Sequence, residues 1–474
     1  MTIHFNAFDM VVPVHQSPGL WRHPDSRIEE FDTLEYWTEL ARTVERAGFS
    51  SLFLADIPGV YDVYGGTAEA AARGGVQFPL LDPQVMVPAL AAATTHLGFG
   101  LTASVTYEAP YALARRLATL DHLTRGRIAW NIVTSYQESA ARNLGLSGQI
   151  PHDERYDRAD EYLEVMYKLF EHSHEAGSVL ADKSTGVFVD PEKVHPISHR
   201  GEWFDVPGEM LTHPGPQRTP LLFQAGSSAR GQKFAVDHAE AIFVISSSPQ
   251  RLAQQVADTR GKLLEAGRDP ESVRFFAMAT IIVAETQDLA QARLADYRDY
   301  VDTASALTLF GGWTGVDLSS LAEDDVVSDV QTEANQSALA MFTKDPAKRW
   351  TVRDVAEFIS IGGRGPLIVG DPVQVVDELV RFQELSGVDG FNISAAVRPA
   401  DFERFETFVT PELRRRGLLP ERPQTPVTLR EALLEEGPHL RADHPARRCS
   451  TGAQREARSR ISSAIAPATS RDSP

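Results

Sequence analysis

Residues 220–245, PLLFQAGSSARGQKFAVDHAEAIFVI, hold an apolar run, a Gly-Ser-Ser turn, a short polar stretch with helical spacing, and a second apolar run. That order describes one strand-turn-helix-strand unit. Gly226 permits a sharp bend, and Ser227 and Ser228 are residue types that cap a following helix. Free N–H groups and the positive end of the helix dipole attract an anion at such a place. An ordinary capped loop has the same composition, and neither of the glycine-rich phosphate fingerprints is present. The segment alone therefore leaves an anion site and a plain turn both open.

Outward from this unit, apolar runs with strand character recur at Ile3 to Val12, Ser51 to Ala55, Leu97 to Ser104, Arg127 to Val133, Pro220 to Gln224, Ala241 to Ile245, Val273 to Ala284 and Gly390 to Ser394, eight in all. Between them lie segments with helical spacing, such as Leu34, Trp37, Leu40, Ala41 and Val44, or Tyr162, Leu163, Met166 and Phe170. Parallel strands need covering crossovers, and eight strands close on a filled interior. The repeat thus predicts an α/β fold, a (β/α)8 TIM barrel with insertions at the C-terminal mouth, with an open doubly wound sheet as the alternative. Polar or turn residues follow the apolar runs at Asp56, Thr102 to Thr106, Asn131 to Tyr136 and Gly226 to Ser228. In a barrel these positions converge on one mouth, where active sites sit.

Residues 1–420 are expected to form the barrel, interrupted by insertions at 57–82, 172–218 and 286–365; 421–445 read as a C-terminal extension and 446–474 as a disordered tail rich in Ser, Arg and Ala. The first and third insertions are candidates for a cover over the mouth. The 46 Lys and Arg against 65 Asp and Glu give a net charge of −19, which argues against a nucleic-acid or anionic-membrane partner. One cysteine, Cys449, excludes an intrachain disulfide and a Cys-rich zinc site. The N-terminus lacks a signal-peptide pattern, and no run reaches the roughly 18 apolar residues of a membrane span. A cytoplasmic protein is expected.

Several side chains are candidates for chemistry. His152 and Tyr156 lie four apart in HDERYDRADEYLE, so a helix start would put both on one side, although Tyr156 also begins an apolar stripe. Asp56 closes the run LFLAD, as either a ligand contact or a loop cap. Thr102 and Asn131 sit near strand ends, where Asn131 reads equally as a ligand contact and as a satisfied buried amide. His15 follows the first strand on a loop, a setting that usually leaves a histidine exposed. The EHSHE segment from Glu171 to Glu175 has a His-x-His pattern but follows a helix, and it reads as a solvated helix terminus; no metal site is expected. The GxSxG elbow of many hydrolases is absent.

Taken together, GLWRHP, GFSSLFLAD, FPLLDP, TYEAPYALARRLATLDHLTRGRIAWNIVTS, HDERYDRADEYLE, PLLFQAGSS, IVGDP and DGFNI, in this order, resemble the bacterial luciferase-like flavin monooxygenases. The similarity is to the branch of nitrilotriacetate, dibenzothiophene-sulfone, pristinamycin-type and long-chain alkane monooxygenases, over roughly residues 1–440. The resemblance implies a barrel that binds reduced FMN (FMNH2) supplied by a separate NAD(P)H:flavin reductase. It implies a flavin C4a-peroxide formed with O2 that oxygenates a small organic substrate, by C-hydroxylation with C–N or C–S cleavage or by Baeyer–Villiger-type insertion. Flavin contacts are implied at Asp56, Thr102, Asn131, His152, Tyr156, Ser227 and Ser228, and substrate-side positions at His15, Tyr61 and Gln77. Val12 and Tyr136 stand where the alkane branch has a cysteine and a histidine, a departure from alkane oxidation. Relatives of this kind form homodimers or homotetramers. A deazaflavin-dependent reductase on the same barrel, or a flavin-binding protein without turnover, are the competing readings.

Overall fold

The structure, a computed structural model, describes residues 2–448 apart from 329–331, 333 and 346–347. Each predicted apolar run is a strand: β1 (His4–Met10), β2 (Ser51–Ala55), β3 (Gly98–Ser104), β4 (Ile128–Val133), β5 (Leu221–Gln224), β6 (Ala241–Val244), β7 (Arg274–Val283) and β8 (Gly390–Ile393). They pair in parallel in the order β6-β5-β4-β3-β2-β1-β8-β7, and β6 also pairs with β7. The sheet is therefore a closed eight-stranded barrel, and the open-sheet alternative falls. The far half of β7 overshoots the barrel and pairs with Leu367–Gly370.

Alternation along the strands sorts the side chains into two apolar groups. Phe5, Ala7, Leu52, Leu54 and Phe99 face the outer helices, while Phe8, Phe53, Phe223, Phe243, Phe276 and Met278 fill the barrel. A Cβ on Gly100 would fall 2.8 Å from the Phe53 ring, so a glycine is what lets that ring lie across the interior. The helix Leu34–Arg46 starts at Thr33, whose hydroxyl accepts from the Tyr36 N–H at 3.3 Å. Its Trp37, Leu40, Ala41 and Val44 are buried as the spacing predicts, but Leu34, in the first turn, stays exposed.

The extension after residue 420 closes the opposite end of the barrel. Thr428 and Glu431 form a capping box that starts the helix Leu429–Leu434. Leu429, Leu433 and Leu434 pack with the barrel-filling phenylalanines. A Cβ on Gly98, the first residue of β3, would meet Leu429 at 2.5 Å, which puts this helix against the strand starts. Beside it Arg430 grips Glu240 with two bonds, Nε to Oε1 at 2.7 Å and Nη2 to Oε2 at 2.9 Å, both groups being buried.

At the mouth, the segments predicted as insertions pack on one another. Tyr61, Ala71 and Val76 from the first join Leu309, Phe310, Trp313 and Ile359 from the third in an apolar cluster separate from the barrel's. The middle segment forms two hairpins, Val179–Asp182 with Val187–Val189 and His199–Arg200 with Asp205–Val206.

The EHSHE segment is not the solvated terminus its composition suggested. Its first residues belong to a π-helical turn, Lys168–His172. Glu171 accepts from the Thr219 hydroxyl at 2.6 Å, and a His174 ring nitrogen pairs with the Met210 carbonyl at 2.9 Å, both side chains being buried. Residues 172–218 supply the Met210 partner and part of that cover, which helical spacing alone does not reveal. Among the described residues, no group of three or more His, Cys, Asp or Glu is arranged to hold a metal ion, and no helix is long and apolar enough to cross a membrane. Of the expected tail, only 446–448 lie among the described residues, and there Ala446 is buried.

Candidate active site at the barrel mouth

Two cavities of about 590 Å³ each open at the C-terminal ends of the strands and share walls at Asp56, Val133, Tyr136, Ala225, Ser227 and Asn335. One runs toward the start of the helix Ala229–His238, the other toward the loop after β1. Every residue assigned above to a flavin or substrate contact borders this space. His152, Tyr156 and Ser228 line the first cavity, His15, Tyr61, Gln77, Thr102 and Asn131 the second, and Asp56 and Ser227 both.

The Gly-Ser-Ser turn follows β5 directly. Ser228 caps the helix, its Oγ accepting from the Gly231 N–H at 3.0 Å, whereas Ser227 is exposed to the cavity and makes no cap. Gly226 serves space rather than a left-handed bend, for its φ is not positive. A Cβ there would fall 2.3 Å from the Gln224 amide nitrogen and 2.7 Å from the Tyr156 hydroxyl. That hydroxyl is held between Thr134 and Ser228. Tyr156 and His152 come from one turn of the helix His152–Tyr167, with ring centroids 5.2 Å apart and edge to face. The shared helical face inferred from their spacing is present.

At the other end the polar groups are buried yet incompletely bonded. Asn131 donates to the Thr102 hydroxyl at 2.9 Å, but its carbonyl oxygen has no partner. The side-chain oxygens of Gln77 and Gln224 and the Nδ1 of His15 are likewise buried without partners. Such groups are costly unless something completes their hydrogen bonds. Two non-glycine residues on these walls, Gln77 (φ 48°) and Ser135 (φ 56°), adopt left-handed backbone, a strain that clusters at functional sites.

Electrostatics set the charge states. Burial, with Asp82 and Glu108 nearby, pushes Asp56 up to about 7. His15 is only 5% exposed, against the expectation for a loop histidine, and burial together with the Arg398 charge lowers it to about 3, so its ring is neutral. Arg398 fixes this loop: it bonds Asp9 at 2.5 Å and the carbonyls of Met10, Val12 and Pro13 at 3.1, 2.6 and 2.8 Å. The Tyr61 and Tyr136 hydroxyls meet at 3.1 Å, and burial raises both.

Sequence reasoning missed Gln224, Gln137 and Arg364 as wall residues. Gln224 ends β5 and carried a signal as a polar residue closing an apolar run. Arg364 lies in the glycine-rich IGGRG segment, whose proximity to the mouth only the fold reveals.

The luciferase-like monooxygenase family matches residues 7–389. The chain belongs to that family. Among the relatives of this luciferase-like monooxygenase, dimethyl-sulfide monooxygenase from Hyphomicrobium sulfonivorans is 48% identical over 416 residues, 88% of this chain and 87% of the relative. Long-chain alkane monooxygenase from Geobacillus thermodenitrificans (strain NG80-2) is 43% identical over 418 residues, 88% of this chain and 90% of the relative. The crystal structure of a riboflavin lyase with modified FMN and riboflavin superposes with a TM-score of 0.89 at 37% identity, covering 95% of this chain and 100% of the other. The luciferase-like chain is thus a flavin-dependent monooxygenase on a TIM barrel, and its family implies the use of reduced flavin.

Proposed function

We propose that this protein takes reduced FMN from a separate NAD(P)H:flavin reductase and uses O2 to oxygenate a small organic substrate, cleaving a carbon–sulfur bond. One oxygen atom enters the substrate, the other leaves as water, and the flavin supplies the two electrons. The observation that carries this reading is the pair of adjoining mouth cavities, one reaching a serine-capped helix start and the other a set of buried, half-bonded polar side chains. Similarity to dimethyl-sulfide and dibenzothiophene-sulfone monooxygenases supports the sulfur assignment.

The residues fit an FMN. Ser227, Ser228 and the first N–H groups of the helix Ala229–His238 would hold the phosphate. The unpartnered oxygens of Asn131 and Gln224 would accept from the ring system, and Asp56, His152 and Tyr156 would border it. When bound, reduced FMN supplies O2 activation. His15, Gln77 and Tyr61 then face the substrate, with the His15 ring neutral. Segments 57–82 and 286–365, packed on each other, would limit the access of water to the mouth. The test is anaerobic binding of FMNH2 followed by 18O2 and a panel of thioethers and sulfones, each with and without an acid group. An 18O-labelled product confirms the function, and flavin oxidation without labelled product from any of them refutes the sulfur assignment.

A further inference from the structure

The cavity beside the β1 loop contains a charge with no counterpart. Arg364 lines it, partly exposed toward the cavity, and makes no hydrogen bond or ion pair with any described residue. Its guanidinium lies 4.9 Å from the centroid of the Trp313 ring. The other groups that act on its charge are the neutral hydroxyls of Tyr61 and Tyr136. This contrasts with two deeply buried arginines: Arg398, at the same mouth, is matched by Asp9 and three carbonyls, and Arg430, at the barrel base, by Glu240. A guanidinium partly withdrawn from water gains from an anion, and its planar fork suits a carboxylate or sulfonate. Phe8, Phe243, Met278 and Met341 give the wall an apolar part, beside polar residues such as His15, Gln77 and Asn131.

We propose that Arg364 is a specificity-determining residue that receives an acid group of the substrate, so that the substrate is an organic carboxylate or sulfonate with an apolar body. This rests on the proposed function only in taking the Arg364 cavity as the substrate side. Trp313, stacked on the guanidinium, holds the fork facing the cavity between the two tyrosines.

The experiment reads binding, not turnover, so it stands whether or not oxygenation is observed. Tryptophan fluorescence of the full chain, with oxidised FMN added, is titrated with octanoate, octane-1-sulfonate and the neutral octan-1-ol. The two anions should bind at least about 10-fold more tightly than the alcohol, the scale of one charge-assisted contact. Arg364→Gln should abolish that preference while leaving octan-1-ol and FMN affinities within about 2-fold, and Arg364→Lys should keep part of it. Equal affinity of the wild type for anions and alcohol overturns the proposal, as does a preference that survives Arg364→Gln. A drop in FMN affinity in Arg364→Gln with the anion preference intact assigns the arginine to the flavin instead and also overturns it. Should Arg364→Gln fail to fold, the wild-type comparison and Arg364→Lys decide.

Discussion

The Tyr61 hydroxyl lies 3.1 Å from that of Tyr136, joining the first insertion to the end of β4 across the mouth. Both side chains border the cavity that also holds His15 and Arg364. Tyr136→Phe removes one hydroxyl and leaves the other buried, at a cost of about 1 kcal/mol. We expect a lower melting temperature and, in coupled turnover, more hydrogen peroxide per NAD(P)H consumed. A peroxide assay on both proteins checks this, and unchanged coupling would mean that the contact does not seal the mouth.

Ser227 faces the cavity at a helix start. Ser227→Asp adds a negative charge where a phosphate would sit, and like charges at such a distance repel strongly in a partly dry site. FMN affinity should fall by about 100-fold or more with an unchanged melting temperature of the flavin-free protein. Equilibrium dialysis and a thermal scan suffice.

Gly226 leaves room for the Gln224 amide and the Tyr156 hydroxyl. Gly226→Ala should displace one of them, costing about 1–3 kcal/mol of stability in the manner of an overpacked core. It should also weaken FMN binding, because both side chains border the cavity proposed for the flavin. Normal FMN affinity in this variant would show that the turn tolerates the methyl group.

Asp56 is pushed up to about 7 by burial. A raised carboxyl contributes stability that is fully present below its unfolded value of about 4 and is lost as pH rises to about 7. Relative to Asp56→Asn, the wild type should therefore weaken by about 2–4 kcal/mol between pH 4 and pH 7, then run parallel. Denaturant melts of the flavin-free proteins at pH 5, 6, 7 and 8 trace the difference. A constant offset would remove Asp56 from the buried set.

Arg430 and Glu240 form a buried, doubly bonded ion pair at the barrel base. Arg430→Met strands the Glu240 carboxylate and should cost about 3–5 kcal/mol, part of which a second change, Glu240→Leu, restores. At 20 °C both variants should bind FMN normally, since the pair is remote from the mouth. Loss of FMN affinity without loss of stability would contradict that separation.

Much of this architecture is legible in the sequence because barrel strands, buried on both faces, read as continuous apolar runs. Once the barrel is assumed, Asp56 and Ser227 are placed at the mouth by their position just after such runs, and Asn131 by its place near the end of one. His152 and Tyr156 are paired by helical spacing alone. The remainder depends on contacts between distant segments. His15 is buried because Arg398, hundreds of residues away, draws its loop inward. Arg364 gains meaning only when the third insertion folds back over β1. The EHSHE segment misleads because its cover comes from the loop region around Met210 and Thr219, which has no regular period.

The helix Leu429–Leu434 has a consequence for biosynthesis. Its leucines complete the barrel interior, yet they leave the ribosome after all eight strands have emerged. Until they do, the phenylalanines of the lumen are open to water from below. A nascent chain stalled after β8 but before residue 429 would carry the strands of the mouth over an unsealed floor, the kind of exposed apolar surface that chaperones bind.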